Sequence, residues 1–339
     1  MDAFYLSGTG ALASALVEDL DNARRQAHET KVNVPFGVGD ISFGVAGRGL
    51  LRYAYRLEHP NGLVGLTPSS SLPTVRVQPK AAFIHAVGVH EALAWFRDQV
   101  ESVVGPVEWK AGRVDLFMDS QGWDLNADHR DRFVCRARDR WTFESNETFT
   151  GVRFGSGGGA VKARIYDKTE ESRLKGSDWW PDKWGSGYRP DERVLRVEFE
   201  VHRELMRQVG LSTPEEVLEE LPRLWAYLTD EWLTYRRPTS DETRSRWPVA
   251  LEWHSVQNAS LRDNALGLER VYAGETAGSI RRMLPALRGY LSSAGALLGA
   301  KSLEETLHRV GRVVALDEDE SGVAFVDRLR EKHLALGLA

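Results

Sequence analysis

Tyr166 belongs to a segment whose residue types suit chemistry on a phosphate ester. The segment AVKARIYDK (160–168) reads as a strand, and alternate residues of a strand point to the same side. One side then carries Lys162, Arg164, Tyr166 and Lys168. A tyrosine oxygen is a nucleophile once it loses its proton, and lysine or arginine offsets the charge of a phosphate. The segment therefore combines a nucleophile with the cations that such a reaction needs.

Two other segments place carboxylates on one side of a strand. The polar side of RVDLFMD (113–119) carries Arg113, Asp115, Phe117 and Asp119, and that of VLRVEFEVH (194–202) carries Arg196, Glu198, Glu200 and His202. If the three strands are neighbours, four carboxylates meet the tyrosine. Close carboxylates repel one another unless they share a proton or a cation, and such oxygen ligands suit Mg²⁺ or Mn²⁺. The alternative is a solvated sheet face with cross-strand ion pairs.

The elements that must position these residues are strands in an α+β domain. Short alternating segments from 34 to 84 predict an antiparallel meander, and further strands are predicted at 107–119, 141–146, 148–155, 160–168 and 192–202. Helical spacing predicts helices at 90–104 and 126–140. We expect an N-terminal helical arm (1–33), a catalytic domain with an antiparallel sheet and helices on one face (34–238), and a helical C-terminal region (239–339).

Composition limits the class of protein. The 339 residues include 42% hydrophobic and 27% charged residues, which is typical of a chain with an ordinary buried core. The sequence shows no apolar run long enough to span a membrane and no signal peptide, and the single cysteine, Cys135, excludes an internal disulfide. These features predict a cytoplasmic protein that does not bind a membrane. We expect Cys135 to be buried on its helix.

Charge is distributed unevenly along the chain. The formal net charge of −5 argues against a nucleic-acid partner, but basic residues cluster in the middle and acids concentrate near both ends. The first basic cluster consists of Arg130, Arg132, Arg136, Arg138 and Arg140. The distribution is compatible with DNA binding without requiring it.

Three motifs in order resemble a known family. Arg164-Ile165-Tyr166-Asp167-Lys168 with Glu171 resembles the R-x-Y-x-K-x-x-E signature of the Rep_trans replication initiators, which start rolling-circle replication of plasmids and include related relaxases of integrative elements. Upstream, Arg113-Val114-Asp115 with Asp119 resembles the R-x-D-x-x-x-D strand of that family. Downstream, Arg196-Val197-Glu198 resembles its R-x-E strand. The resemblance covers about 35–258.

The resemblance implies a palm-like fold, distantly similar to RNA-recognition domains, and an endonuclease that nicks one DNA strand through a covalent 5′-phosphotyrosine. Tyr166 would be the nucleophile, with Lys168 and Arg164 as phosphate-binding cations. Asp115, Glu198 and Asp119 would hold Mg²⁺ or Mn²⁺, with Glu200 and Glu171 in supporting roles. None of the nine histidines forms the H-x-H pair of the histidine-dependent nicking enzymes. Origin DNA, single-stranded at the nick, would be the main partner. A host helicase and a second copy of the chain would be further partners.

Several alternatives stay open. Tyr53 and Tyr55 also lie on a predicted strand and are rival nucleophiles. The tryptophan-rich loop 176–192 would either stack on unpaired bases or clamp itself onto the domain. The GSGGG run at 155–159 lacks the G-K-[ST] ending of a phosphate-binding loop and predicts a hairpin turn. For the whole protein, the alternatives are a metal nuclease that uses water and a DNA-binding protein without catalysis.

Overall fold

A computed structural model of the protein describes residues 1–145, 147–177, 179–259, 269–270, 280–321, 324–327 and 329–330. The chain divides into two units: Met1–Thr234 with Ala259–Glu269, and Tyr235–Asn258 with Arg270–Ala339. The predicted boundary between the catalytic domain and the helical region lies four residues beyond the first division. Within the described part of the chain, every helix is too short or too polar to cross a bilayer.

A large antiparallel sheet organises the first unit. Its strands follow the order β2-β3-β4-β5-β6-β1-β7-β12-β11-β10-β9, and every neighbouring pair in this order is antiparallel. The strands are β1 (Ala3–Thr9), β2 (Val34–Val38), β3 (Ile41–Val45), β4 (Tyr55–His59), β5 (Gly62–Leu66), β6 (Val75–Pro79), β7 (Glu108–Gln121), β8 (Phe133–Cys135), β9 (Arg140–Ser145), β10 (Thr148–Phe154), β11 (Val161–Asp167), β12 (Leu195–His202), β13 (Leu233–Tyr235) and β14 (Glu269–Arg270). β8 and β13 form a separate two-stranded sheet. The predicted α+β class with an antiparallel sheet is confirmed.

The described residues of the first unit form eight α-helices. They are α1 (Ser14–Thr30), α2 (Ala81–Val87), α3 (Val89–Val104), α4 (Lys168–Lys175), α5 (Trp180–Trp184), α6 (Arg203–Gln208), α7 (Pro214–Glu219) and α8 (Leu221–Ala226). Of these, α4 and α5 lie on the charged face of the sheet, where Trp180 contacts Arg196 and Trp184 contacts Asp119. α6 and α7 contact β12 and β7, and Trp225 of α8 meets Phe199 of β12 edge to face at 5.4 Å between centroids. Thr213 caps α7 in a reciprocal capping box with Glu216, and Pro214 occupies the first turn, where its missing N–H costs nothing. The core therefore lies between the helices and the sheet face that carries Val197 and Phe199.

The predicted N-terminal helical arm is wrong for its first residues. Residues 3–9 form β1, a central strand between β6 and β7, and the helix α1 begins only at Ser14. The segment AFYLSGT buries five of its seven side chains. It escapes pattern recognition because a strand that is covered on both sides loses the polar alternation that identifies exposed strands.

The predicted helix at 126–140 is also wrong beyond its first turns. Asn126 does cap a helix, accepting a hydrogen bond from the backbone of Asp128, but this 3₁₀ helix ends at Arg132. The chain then enters β8, so Cys135 lies half-buried on a strand, where burial raises the pKa of its thiol to about 11. The loop 155–159 is a turn between β10 and β11, as expected, with Gly155 at φ +88°.

In its described residues, the second unit combines helices with loops and also includes the last residue of β13 and of β14. It contains α9 (Leu251–Gln257), α10 (Ile280–Leu297) and α11 (Leu303–Ser321), and an isolated antiparallel bridge joins Arg236 to Val249. α10 and α11 pack as a pair in which Gly295 faces Thr306 so closely that a Cβ would lie 2.6 Å from its hydroxyl. The expectation of C-terminal helices is confirmed for these residues.

Candidate active site

The three strands with charged faces are direct neighbours. β12 lies between β7 and β11, and the register places Arg196 between Tyr166 and Asp119. The next cross-strand row places Glu198 between Arg164 and Phe117. The predicted meeting of these polar faces is therefore confirmed. The alternative of a solvated face is wrong for most of its ionisable side chains, which are buried, although the cross-strand ion pairs that it predicted do form.

The hydroxyl of Tyr166 points at a carboxylate. It donates a hydrogen bond to Oε2 of Glu198 at 2.9 Å, while Arg164 donates to the other oxygen, Oε1. Burial raises the pKa of Tyr166 well above its ordinary value, and the negative charge of Glu198 raises it further. The phenol is therefore protonated in the resting protein, and Glu198 already lies where that proton would be received.

An open cleft of about 430 Å³ exposes this pair. Its lining consists of Asp2, Ala81, Asp115, Phe143, Val152, Arg164, Tyr166, Lys168, Glu171, Lys175, Ser177, Trp179, Trp180 and Glu198. A second cavity of about 420 Å³ shares Asp2, Ala81 and Asp115 with this cleft. The two together form a groove that crosses the sheet face at Asp115.

Asp115 is a buried carboxylate that resists ionisation. Arg113 donates to both of its oxygens, through Nε at 2.7 Å and through Nη2. Burial raises the pKa of Asp115, Arg113 opposes this, and the nearby charges of Glu198 and Glu200 add to it, which leaves the pKa at about 6. A further cation at this point would favour the ionised form.

Glu200 has the opposite environment. It accepts from His202 and Lys162 at 2.7 and 2.6 Å and lies 3.0 Å from Arg113. Burial alone would raise the pKa of Glu200, but these partners outweigh it and hold the pKa at about 2. Glu200 is therefore an ionised counter-ion that is already saturated with donors.

Asp115 and Glu198 are the carboxylates best placed to hold a metal ion. Both line the cleft, and each keeps lone pairs beyond those that its present partners use. Within the described ranges, no three His, Cys, Asp or Glu side chains cluster tightly enough to hold a metal by themselves. Mg²⁺ commonly binds through one or two carboxylates and completes its shell with water and substrate phosphate. The donor set fits an ion shared with a phosphate, and not one enclosed by protein.

Asp119, also predicted as a ligand, accepts hydrogen bonds on both oxygens. Arg196 donates to them through Nε at 2.6 Å and Nη2 at 2.7 Å, and the indole of Trp184 donates to Oδ2 at 2.9 Å. Asp119 is 2% exposed and is not among the residues that line the cleft. Asp119 therefore holds the guanidinium of Arg196 in place. Its role as a metal ligand stays a prediction.

Arg196 is fully buried between two aromatic rings. Its guanidinium lies 3.7 Å from the centroid of Phe117 and 4.1 Å from that of Trp180. A further donation runs to Asp2, whose other oxygen is 2.7 Å from Nε2 of His85. Asp2 escaped sequence reasoning because nothing in the sequence connects it with motifs more than a hundred residues away.

Lys168 begins α4 directly after the Tyr166 strand. Asp167 caps this helix by accepting from the backbone of Glu170, which turns Lys168 into the cleft. The ammonium lies 2.7 Å from Glu171 and 4.6 Å from the ring centroid of Trp180. Burial lowers the pKa of Lys168, and the charge of Arg196 lowers it further, while Glu171 acts in the opposite direction.

The tryptophan-rich loop clamps itself onto the domain. Trp180 and Trp184 are buried with Val194, and Trp179 stacks on Trp180 at 4.3 Å between centroids. Part of the loop forms α5, which the sequence did not predict. Of the loop's tryptophans, Trp179 and Trp180 line the cleft, and Trp180 is only 3% exposed.

The rival tyrosines lie elsewhere. Tyr53 and Tyr55 are 6% and 2% exposed, and the ring of Tyr55 is covered by Arg24 at 5.3 Å. Neither lines the groove. Tyr5, which sequence reasoning missed, lines the second cavity and is a closer competitor.

Comparisons with known proteins were made on the whole chain. No protein-family model matches the sequence. The uncharacterised protein ORF430 of Pseudomonas phage Pf1 is 28% identical over 176 residues, which cover 41% of this chain and 41% of the phage protein. The match thus spans about two-fifths of that relative's length. The solved structure of a rolling-circle replication initiator protein from Geobacillus stearothermophilus has 14% identity and a TM-score of 0.45, covering 76% of this chain and 95% of that chain. Neither similarity establishes a family or an activity.

Proposed function

We propose that the protein nicks one strand of DNA by transferring it to Tyr166, as a rolling-circle replication initiator or relaxase does. The observation that carries this proposal is the hydrogen bond from the Tyr166 hydroxyl to Glu198 in an open cleft. A nucleophile, an acceptor for its proton and two cations, Arg164 and Lys168, share that cleft. A purely structural tyrosine would have no need of this combination.

Nicking proceeds as a balanced transesterification. Glu198 takes the proton of Tyr166, and the phenolic oxygen attacks phosphorus. The bond from phosphorus to the 3′-oxygen of the preceding nucleotide breaks, and that oxygen leaves as a hydroxyl with a proton returned through Glu198. The 5′-phosphate stays on Tyr166 as an ester, so a later 3′-hydroxyl can reverse the reaction and close the strand.

The cations of the cleft act on the phosphate. Arg164, whose side chain is 44% exposed, is placed to bind a non-bridging oxygen while it holds Glu198. The ammonium of Lys168 offsets the negative charge that develops on the phosphate. A divalent ion held by Asp115 and Glu198 would lower the cost of forming the phenolate and would bind the phosphate.

The partners follow from the same chemistry. The cleft opens on a sheet face and admits a strand that is unpaired at the nick, so the substrate is DNA made single-stranded at its origin. We propose that a host helicase extends the unwinding and that two copies of the chain act on an inverted repeat. The reaction would take place in the cytoplasm.

Adduct formation tests this proposal. The protein is incubated with Mn²⁺ and single-stranded fragments that tile the genetic element encoding it, and covalent complexes are separated on a denaturing gel and mapped by mass spectrometry. We expect an adduct on Tyr166 that is lost in Tyr166→Phe and kept in Tyr55→Phe and Tyr5→Phe. All three changes remove one hydroxyl and keep the ring, so they are matched.

The other results select the alternatives. Cleavage without an adduct would mean a nuclease that uses water, with Tyr166 in a structural role. Binding of the tiled fragments without cleavage by any variant would mean a DNA-binding protein without catalysis. An adduct on Tyr5 would move the nucleophile to the second cavity.

A further inference from the structure

An exposed group of two aromatic rings and one arginine lies on the edge strand of the sheet, beside the cleft. We call Trp141, Phe143 and Arg153 the aromatic ledge. Trp141 and Phe143 of β9 are 37% and 45% exposed, although large aromatic side chains are usually buried. Along the described sheet, β9 is the last strand in the order, with β10 as its only neighbour. The two rings are therefore partly open to solvent at the edge of the sheet.

The register connects the aromatic ledge with Tyr166. Tyr166 pairs with Gly151 of β10, and Gly151 pairs with Phe143 of β9. In the next row Arg164 pairs with Arg153, which pairs with Trp141. Residues paired across neighbouring strands share a sheet face. The aromatic ledge is thus a continuation of the catalytic face, and Phe143 itself lines the cleft.

Gly151 leaves a gap between the nucleophile and the aromatic ledge. It has no side chain, so no group stands between Tyr166 and Phe143 in that row. Strands lie about 4.8 Å apart, which places the backbone of β9 about 10 Å from that of β11. A strand of DNA with its phosphate at Tyr166 would bring a neighbouring base within this distance.

Arg153 makes the aromatic ledge cationic. Its guanidinium lies 4.1 Å from the ring centroid of Trp141 and 6.0 Å from that of Phe143. Its Nε is buried and has no hydrogen-bond partner among the described residues. In the ranges that the structure describes, this guanidinium contacts two aromatic rings and no carboxylate, so its positive charge can attract a phosphate. The charge of Arg153 therefore favours an anionic ligand at this surface.

We propose that the aromatic ledge is a base-stacking subsite that holds one or two unpaired bases of the strand attacked by Tyr166. This inference rests on the proposed function and adds a binding determinant to it. Stacking on aromatic rings accepts every base, because every base has a π face, and arginine adds a cation–π contact. A neutral peptide segment would use the apolar rings but would gain nothing from the neighbouring cations Arg153 and Arg164.

Equilibrium binding to a single strand tests the subsite without depending on cleavage. In the Tyr166→Phe protein, fluorescence anisotropy is measured with a labelled oligodeoxythymidylate of about 12 nucleotides, a length within the range bound by single-strand sites. Replacing Trp141 or Phe143 by alanine should weaken binding about 5- to 100-fold, as loss of one stacked base does. Trp141→Phe, which keeps a ring, should restore most of the affinity. Tyr290→Ala removes an aromatic side chain that is 76% exposed in α10 and is the control.

A base analogue locates the contact. 2-Aminopurine is placed singly along an oligodeoxyadenylate, and its fluorescence should be quenched at one or two positions only, with the quenching lost in Trp141→Ala. Unchanged affinity and quenching in both alanine variants would overturn the subsite, even if Tyr166 forms its adduct. Weaker binding in the alanine variants of a protein that never forms an adduct would keep the subsite and refute the nicking reaction. Equal loss for duplex DNA would show that the rings do not act by stacking on unpaired bases, and would also overturn the subsite.

Discussion

Arg196 and Asp119 form a two-point ion pair beneath the candidate nucleophile, with Nε and Nη2 donating to the two carboxylate oxygens at 2.6 and 2.7 Å. Both side chains are almost completely removed from water. The pair lies in the same cross-strand row as Tyr166, so its geometry sets the position of the tyrosine strand relative to β7. The shape of the cleft therefore depends in part on an ion pair whose two residues do not line it.

Replacing Arg196 by lysine should destabilise the protein strongly. Lysine cannot satisfy both oxygens of Asp119 and the oxygen of Asp2, nor can it stack between Phe117 and Trp180. Breaking a buried pair in this way costs about 3–5 kcal/mol. Urea unfolding followed by circular dichroism measures the loss. Arg173→Lys, at an exposed pair with Glu170, is the control and should leave the midpoint unchanged. Equal midpoints for the two variants would contradict a structural role of Arg196.

Replacing Gly151 by alanine should displace Tyr166. A Cβ at this position would lie 2.7 Å from the carbonyl oxygen of Ile165 and 2.9 Å from Cβ of Tyr166. The pairing of β10 with β11 must shift, which costs about 1–3 kcal/mol and moves the nucleophile. Adduct formation in a single turnover should fall more than stability does. Gly157→Ala, with nothing within 4 Å of the added carbon, is the matched control. An adduct rate equal to that of the control would show that the cleft tolerates the shift.

The ionisation of Asp115 should make stabilisation by metal depend on pH. The pKa of Asp115 is about 6 in the folded protein, whereas its ordinary value is 3.8. Between pH 3.8 and about pH 6, the folded protein therefore keeps this carboxyl protonated while the unfolded chain has lost the proton. The contribution of this group to stability therefore falls as pH rises from about 4 to 6. Mn²⁺ competes with the proton, so it should raise the melting temperature at pH 8 and have little effect at pH 5.

Thermal melts with and without Mn²⁺ at the two pH values measure this effect. Asp115→Asn should remove the difference, whereas Asp124→Asn, at a side chain that is 93% exposed, should keep it. A metal-induced rise of the same size in Asp115→Asn would place the ion elsewhere.

Replacing Glu198 by glutamine should separate charge from hydrogen bonding. Glutamine keeps an oxygen that can accept from Tyr166, but it takes no proton and attracts Arg164 and a metal less. Loss of general-base assistance lowers rates by about 10²–10⁴-fold, and we expect a decrease in adduct formation of that order. Because the charge of Glu198 raises the pKa of Tyr166, that pKa should fall in the variant.

Ultraviolet difference titration follows the phenol, with Tyr166→Phe as the blank that isolates its signal. Glu204→Gln, on the exposed side of α6, is the control for both readouts. A normal rate in Glu198→Gln would remove Glu198 from the role of proton acceptor.

The sequence predicted which side chains of three strands share a sheet face better than it predicted the elements around them. Alternation along β7, β11 and β12 identified which side chains share a face, because a strand with one charged and one apolar face has a period of two. The neighbour relation of the strands was inferred only as a condition, since pairing depends on contacts between distant segments. β1 was missed for the same reason, and Asp2 with it.

Sequence patterns did not predict the aromatic side chains that surround Arg196. Phe117 was assigned to the polar face, but nothing showed that it and Trp180 would enclose Arg196. Asp119 and Asp115 have equal standing in the motif R-x-D-x-x-x-D, yet one lines the cleft and the other lies under it. The difference arises from Trp184, which comes from a loop 65 residues away and covers Asp119. The spacing of residues in the motif does not predict that a tryptophan from a distant loop contacts one of its two carboxylates.

The position of β12 between β7 and β11 has a consequence for biosynthesis. Asp2 and Arg196, which meet at the site, are 194 residues apart in the chain, and the strand that carries Arg196 and Glu198 is the last of the large sheet's main order to be translated. Contacts between residues so far apart in the sequence form slowly during folding. A ribosome-bound chain that stops before residue 195 lacks the central strand of the site, so the proposed nicking activity cannot appear before that strand has been inserted.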